Sequence, residues 1–277
     1  MPQTMLIRSD PDNYLSLARE SSPDCAQFFK HCHDGYEFFL LIRGSIDMLT
    51  EEKTFALHEG DFLIIRPHDY HIATLKDMEI YDRVIVNATE NYFSRCGLRE
   101  MPTLLADLPE PCFTLREDSF LNGCLQQLPA WIRAMPTPQE QARIFDTVLF
   151  AIYAALLLRD TQQKRKAGSP LPPLIQQALE FINIHLSENL SLDSIAGKLF
   201  VSKSHLCNSF KNTMGIGVKK YIDHKRISLA RSLIAHGMPI KKVFIRCGFN
   251  DYTTFYRMYT KITGQSPSRT QEDHLNA

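Results

Sequence analysis

Between residues 38 and 86, apolar positions fall in short runs at 38–43, 45–50, 54–57, 62–65, 71–75 and 79–86. Turn formers separate the runs, as in Arg43-Gly44, Glu51-Glu52 and Glu59-Gly60-Asp61. Short apolar runs at regular spacing, punctuated in this way, predict a β-sandwich or barrel. From residue 120 the period changes. Leu121, Leu125, Leu128 and Ile132 recur at three- and four-residue steps, as do Ile144, Val148, Ile152, Tyr153, Leu156 and Leu157. That spacing predicts two helices. Met135-Pro136-Thr137-Pro138 separates them, because proline interrupts a helix interior. The second helix, 143–159, is apolar around much of its circumference. It suits either a core face with a second face against another subunit, or complete burial within its own domain.

The last hundred residues repeat themselves. Ile195-Ala196 to Leu206 and Val243 to Phe255 share one pattern. Val201 and Phe249 are 48 residues apart, while Leu206 and Phe255, Phe210 and Tyr259, and Gly215 and Gly264 are each 49 apart. One residue is therefore inserted in the second turn. Each copy reads as helix, tight turn, helix. Ser191 and Ser202 can cap the two helices of the first copy, and Asn250 or Asp251 the last helix of the second. Gly248 suits a left-handed helix end. Leu206 and Phe210, then Phe255 and Tyr259, form the inward faces at four-residue spacing. That turns Lys203, Ser204, Cys207, Asn208 and Lys211 outward in the first unit. In the second it turns Tyr252, Thr253, Tyr256, Arg257 and Lys261 outward. A long amphipathic helix over 218–236 joins the copies and carries Lys219, Lys220, Lys225, Arg226 and Arg231. Two such helices on one spacer can enter successive major grooves, where outward side chains reach base edges and cations neutralise phosphates.

Charge supports this division. The net charge is zero, but residues 1–170 hold 17 Lys+Arg against 24 Asp+Glu, and residues 171–277 hold 14 against 7. An acidic half and a basic half suggest that the second meets a polyanion. Gly168-Ser169-Pro170-Leu171-Pro172-Pro173 has the composition of a linker between them. The expected organisation is multi-domain α+β: a β-barrel domain over 1–115, a helical connector over 116–170, and an all-α domain over 171–277. The helix-turn-helix units of the last fall at about 190–215 and 239–264. The 44% hydrophobic and 22% charged composition excludes a disordered, collagenous or disulfide-scaffold chain. The longest apolar run, 148–158, is too short to span a bilayer, so no membrane partner is expected. Seven cysteines without a C-x-x-C pair, behind an N-terminus lacking a signal-peptide core, fit a reduced, cytoplasmic protein.

The strand-rich half also carries chemistry. His31-x-His33-x-x-x-Glu37 is followed by Gly60-Asp61 and Pro67-x-x-x-His71. Residues 31, 33 and 37 share parity and would face one side of a continuous strand, unless Asp34-Gly35 forms a bulge. His31, His33, Glu37 and His71 suit a first-row divalent metal, and equally suit the hydroxyls of a sugar. Arg43, Arg66, Phe39, Phe62 and Tyr70 are further candidates to line such a pocket. There is no separate nucleophile motif or cofactor fingerprint, so the chain is not expected to be an enzyme and no cofactor is required.

Residues 172–270 resemble the DNA-binding domain of AraC-type transcription regulators. The resemblance rests on Ser191-Leu192-x-x-Ile195-Ala196, Leu199-x-Val201-Ser202-x-Ser204-x-Leu206-x-x-x-Phe210-Lys211, Gly215, Tyr221-Ile222, Arg226-x-x-x-Ala230-x-x-Leu233, Gly248-Phe249, Phe255, Arg257 and Gly264-x-Ser266-Pro267. It implies base-reading roles for Ser204, Cys207 and Asn208, and for Tyr252, Thr253, Tyr256 and Arg257. Phe244 stands where the family usually has a small alanine, Thr260 where it often has a basic residue, and the arginine after Ser-Pro is displaced. The His/Glu spacing resembles the two cupin motifs over about residues 25–90. The combined resemblance implies a dimeric, ligand-responsive activator that binds promoter DNA, contacts RNA polymerase and senses a small molecule, a carbohydrate first. A metal-dependent cupin enzyme or metal sensor with a DNA-binding tail is the alternative.

Overall fold

A computed structural model of the chain describes residues 3–10, 13–20, 32–76, 81–108, 110–115, 119–135, 137–157 and 168–275. Among the described residues ten strands form two sheets. β1 (Gln3–Asp10), β2 (Asn13–Glu20), β8 (Tyr81–Ala88), β3 (Tyr36–Arg43), β6 (Asp61–Ile65) and β9 (Cys112–Thr114) make the larger, in that spatial order. β10 (Ser169–Pro170), β5 (Lys53–Leu57), β4 (Ile46–Leu49) and β7 (Ile72–Leu75) make the smaller.

The unbroken apolar stretch of β3 follows from its place between two layers. Phe38 and Leu40 join Phe62, Ile64, Val84 and Val86 in a core shared with the helices α3 (Phe120–Ala134) and α4 (Pro138–Leu157). Phe39 and Leu41 point the other way, to Leu63, Ile65 and the small sheet's Ile46, Met48, Phe55 and Leu57. A strand buried on both faces has no polar alternation to show. The layers are cupin-like, yet the two sheets do not close into the single barrel that the spacing of the runs predicts. The hairpin β1–β2, the short strand β9 and the helices α1 (Glu90–Arg95) and α2 (Met101–Ala106) are additions to the sequence reading.

The linker-like segment is docked rather than free. Ser169 and Pro170 pair with Thr54 and Lys53 at the edge of β5, and Leu171 is buried. A side chain at Gly168 would meet the Phe55 ring at 2.8 Å, so only glycine passes there.

The C-terminal helices are α5 (Pro173–Ile184), α6 (Leu192–Lys198), α7 (Lys203–Met214), α8 (Val218–Ala235), α9 (Ile240–Arg246), α10 (Tyr252–Thr263) and α11 (Pro267–Leu275). The caps lie where the sequence puts them. Ser191 and Ser194 form a capping box, Ser202 accepts the His205 N–H at 3.2 Å, and Asp251 accepts that of Thr254 at 2.7 Å. The internal repeat is visible in the backbone. In unit one Val201 N–H donates to Ala196 O at 3.0 Å; in unit two Phe249 N–H donates to Phe244 O at 3.0 Å. The Phe244 ring therefore does not open the second unit. It turns toward α10, 5.9 Å from the Tyr252 ring.

Both turns use a left-handed residue. Gly248 holds it in the second unit at φ 78, but Phe200 holds it in the first at φ 56 and is 96% exposed. That backbone costs a non-glycine residue about 1–2 kcal/mol, and the solvated ring recovers none of it. Phe200→Gly is expected to raise stability by roughly 0.5–1 kcal/mol after glycine's extra chain entropy. A chemical-denaturation midpoint that stays put or falls would show that the ring is held by something else.

Candidate functional site

His33, Glu37 and His71 converge. His33 lies in the entry to β3, Glu37 near its start, and His71 just before β7; all three are buried. The His33 Nδ1 lies 2.7 Å from Gly35 O, and the His71 Nδ1 lies 3.0 Å from Asp69 O. Each Nδ1 thus carries a proton toward a backbone carbonyl. Each Nε2 faces the same carboxylate oxygen, Glu37 Oε2, at 3.0 Å from His33 and 3.7 Å from His71. Burial works against an imidazolium at His33, but the hydrogen bond and charge of Glu37 outweigh it and raise its pKa. The donor atoms of the three residues all lie within 4.8 Å of one another. Nδ1 held by a carbonyl, with Nε2 turned toward the shared site, is how metal-binding histidines are oriented. The donor set fits a divalent transition metal.

The structure does not bring every sequence candidate here. His31 lies outside the described residues. Arg43 is exposed at the end of β3, beyond a register shift, and Arg66 pairs with Glu52 at 3.1 Å. Phe62 faces the helices, and Phe39 faces the inter-sheet core. Tyr70 is fully buried against Tyr221 of α8, with ring centroids 5.5 Å apart, in a core shared by the two domains. Sequence reasoning missed Arg83 and Asn87, which share a face of β8 with Ile85. Their only signal is two polar residues four apart, on the same face of a strand whose centre, Val84 to Val86, is apolar.

The loops that carry the cluster also grip α8. Asp34, beside His33, faces Arg231 at 3.7 Å, and the Cys32 thiol donates to His224 O at 3.6 Å. His68 N–H donates to His33 O at 2.7 Å, which ties the two loops together, while its Nδ1 meets Ser228 Oγ at 2.7 Å. Burial pushes the His68 pKa down to about 4, so the ring bridges as a neutral imidazole. Between these contacts lies a buried ion pair. Lys225 Nζ donates to both Glu51 oxygens, at 2.9 and 3.2 Å, and to His68 O at 2.6 Å. Glu51 also accepts from Tyr70 N–H at 3.0 Å and Asn183 Nδ2 at 3.1 Å.

This corrects part of the charge reading. Lys219 and Lys220 are exposed, but Lys225 and Arg231 are turned to the N-terminal domain. Arg226 donates to Leu186 O at 3.0 Å and Glu188 O at 2.6 Å, and lies over the Phe249 ring at 5.7 Å. It locks the α5–α6 loop to the second unit. The missing side chain of Gly248 makes the room, since a Cβ there would lie 2.7 Å from Leu186 O.

The outward faces of α7 and α10 match the sequence expectation. Lys203, Ser204, Asn208 and Lys211 are exposed and Cys207 is half-buried. Tyr252, Thr253, Tyr256, Arg257 and Lys261 are exposed on α10. Lys203 is engaged with Asp193 at 2.9 Å. Leu206, Phe210, Phe255 and Tyr259 anchor the opposite faces, fully buried. Among the described residues no helix is long and apolar enough to cross a membrane.

A family model described as an AraC-like ligand binding domain matches residues 16–85, and one described as a helix-turn-helix domain matches residues 195–273. The HTH-type transcriptional activator RhaS of Escherichia coli O1:K1 / APEC is 22% identical over 262 residues, covering 93% of this chain and 92% of that protein. Among solved structures, ToxT from Vibrio cholerae O395 aligns over 100% of this chain and 99% of its own, with a TM-score of 0.43 and 13% identity. The C-terminal domain of AraT, a response regulator from Geobacillus stearothermophilus, aligns over 38% of this chain and 88% of its own, with a TM-score of 0.37 and 28% identity.

Proposed function

The chain belongs to the AraC-type transcription regulators, and from that premise we propose that it is a cytoplasmic, ligand-responsive activator whose N-terminal domain senses a carbohydrate. The observation that carries this reading is the shared use of two loops. The segments holding His33 and His71 also hold α8, the helix that spaces the two DNA-reading units. A molecule that draws on the His33–Glu37–His71 cluster shifts those loops, and with them the contacts to Ser228 and Arg231. Effector affinity then differs between domain arrangements, which is what a population shift requires. In this reading α7 and α10 bind promoter DNA and an exposed surface of the bound protein meets RNA polymerase. Phe150 and Leu157 on α4, 48% and 53% exposed, seat a second copy of the chain.

A divalent-metal sensor is the second reading, favoured by the carbonyl-held Nδ1 atoms of His33 and His71. There the two Nε2 atoms and the Glu37 carboxylate would hold the ion, and its charge would replace the proton shared between His33 and Glu37.

A thermal-shift screen separates the two. Mono- and disaccharides, their phosphates and their acids are offered to the full chain, with and without chelator. An effector at 100 times its Kd stabilises the folded state by about 2.7 kcal/mol. The proposal expects a sugar response that survives chelation and disappears in Glu37→Gln. Loss of stability on chelation, with no sugar response, would replace the sugar sensor by the metal sensor.

A further inference from the structure

The inter-sheet face of β8 carries two side chains with buried polar atoms that no described residue satisfies. Asn87 is 2% exposed, yet neither its Oδ1 nor its Nδ2 has a hydrogen-bond partner among the described residues. On the same face, beyond Ile85, the Arg83 Nη1 is buried without a partner among the described residues. The guanidinium lies over the ring of Tyr81, 4.5 Å from its centroid. Ile85 lies between them on this face, and across on β3 Phe39 stands in register with Ile85 and Leu41 with Arg83. Folded proteins satisfy nearly all buried polar atoms, because an unmet amide or guanidinium loses its water and gains nothing in return. Two such groups on one face point to a ligand.

Their positions say which kind. Asn87 pairs in register with Glu37 on β3, which puts it beside the His33–Glu37–His71 cluster. An amide that both donates and accepts suits a hydroxyl, which does the same. Arg83 presents a planar donor fork that matches a carboxylate two bonds at a time, and stacking on Tyr81 holds that fork flat. Four residues of strand separate the two backbones by about 13 Å, which is longer than a single sugar ring.

We infer that Arg83 and Asn87 belong to the effector site and that the effector is a sugar acid of about disaccharide length. Its carboxylate meets Arg83, and its far hydroxyls meet Asn87 and the cluster. The inference rests on the sensor reading above and narrows it to anionic carbohydrates.

The test uses the full-length chain and two measurements. The first needs no effector. Arg83→Met keeps the stem that covers Tyr81, and Asn87→Leu keeps the volume of the amide, while each removes an unmet polar group. Both are expected to raise the Tm of the unliganded protein by about 3 °C. The second offers lactobionate, cellobionate and digalacturonate beside lactose and cellobiose. The acids are expected to raise the wild-type Tm, the neutral sugars to leave it unchanged, and Arg83→Met to erase the difference. A fall in Tm for both variants would overturn the inference, because it would assign the two side chains to the fold. So would a response to neutral sugars equal to that of the acids, and that outcome leaves the sensor reading standing. No response to any acid or sugar overturns both.

Discussion

Lys225→Met is expected to destabilise the folded chain by about 3–5 kcal/mol, although it preserves most of the side chain's volume. The lysine is 9% exposed and Glu51 11% exposed, and together they form the centre of the contact between the two domains. Removing the ammonium leaves the Glu51 carboxylate buried, with Tyr70 N–H and the Asn183 amide still donating to it but no cation beside it among the described residues. It also frees the His68 carbonyl, whose residue already sits at φ 64. The loss is one of pairing rather than packing, so a second substitution should restore most of it. Lys225→Met combined with Glu51→Gln removes both charges, and its stability is expected within about 1–2 kcal/mol of wild type. Urea denaturation of both singles and the double, closed as a cycle, reads the coupling. Additive singles would show that the pair is not coupled and that the domains are held otherwise. The single variant is also expected to weaken the effect of any effector on DNA affinity, because the loops and α8 then move independently.

The second large effect is local. Phe255→Ala is expected to cost about 3–5 kcal/mol and to abolish DNA binding. Phe255 is fully buried among Phe244, Phe249, Tyr252 and Tyr259, so its loss leaves a cavity that rings on three elements cannot close together. The second unit lies in its own core, with Ile227, Ala230, Ile234 and Val243, separate from the sheets. Hydrogen exchange should therefore accelerate in α9 to α11 while protection in β3, β6 and β8 stays as in wild type. Uniform acceleration across the chain would mean that the unit does not fold as a separate core.

What the sequence made legible was mostly local. Ser191, Ser202 and Asp251 could be read as caps because a cap and the N–H it accepts are three residues apart. The inward faces of α7 and α10 could be read because Leu206 and Phe210, like Phe255 and Tyr259, sit one turn apart. Lys225 could not be placed. As one basic residue among several on an amphipathic helix it reads as solvated, and its partner Glu51 lies 174 residues away. Tyr70 followed the same course, since its partner ring, Tyr221, is equally remote. His33, Glu37 and His71 emerged from motif spacing, but the carbonyls that orient the two imidazoles come from loop geometry no spacing records. Asn87 and Arg83 look like ordinary polar strand residues until it is known that the Asn87 amide and the Arg83 Nη1 are buried without a hydrogen-bond partner among the described residues.

The most direct test of two DNA-reading helices on one spacer is selection of bound sequences from a random duplex library by the full-length protein. The structure predicts two enriched tracts with centres about 10 base pairs apart, one per major groove on one face of the duplex. Asn208→Ala should blur one tract and Arg257→Ala the other, each weakening the selected site by about 1–3 kcal/mol. A single tract, loss of both tracts from either substitution, or no enrichment over random duplex would contradict the account.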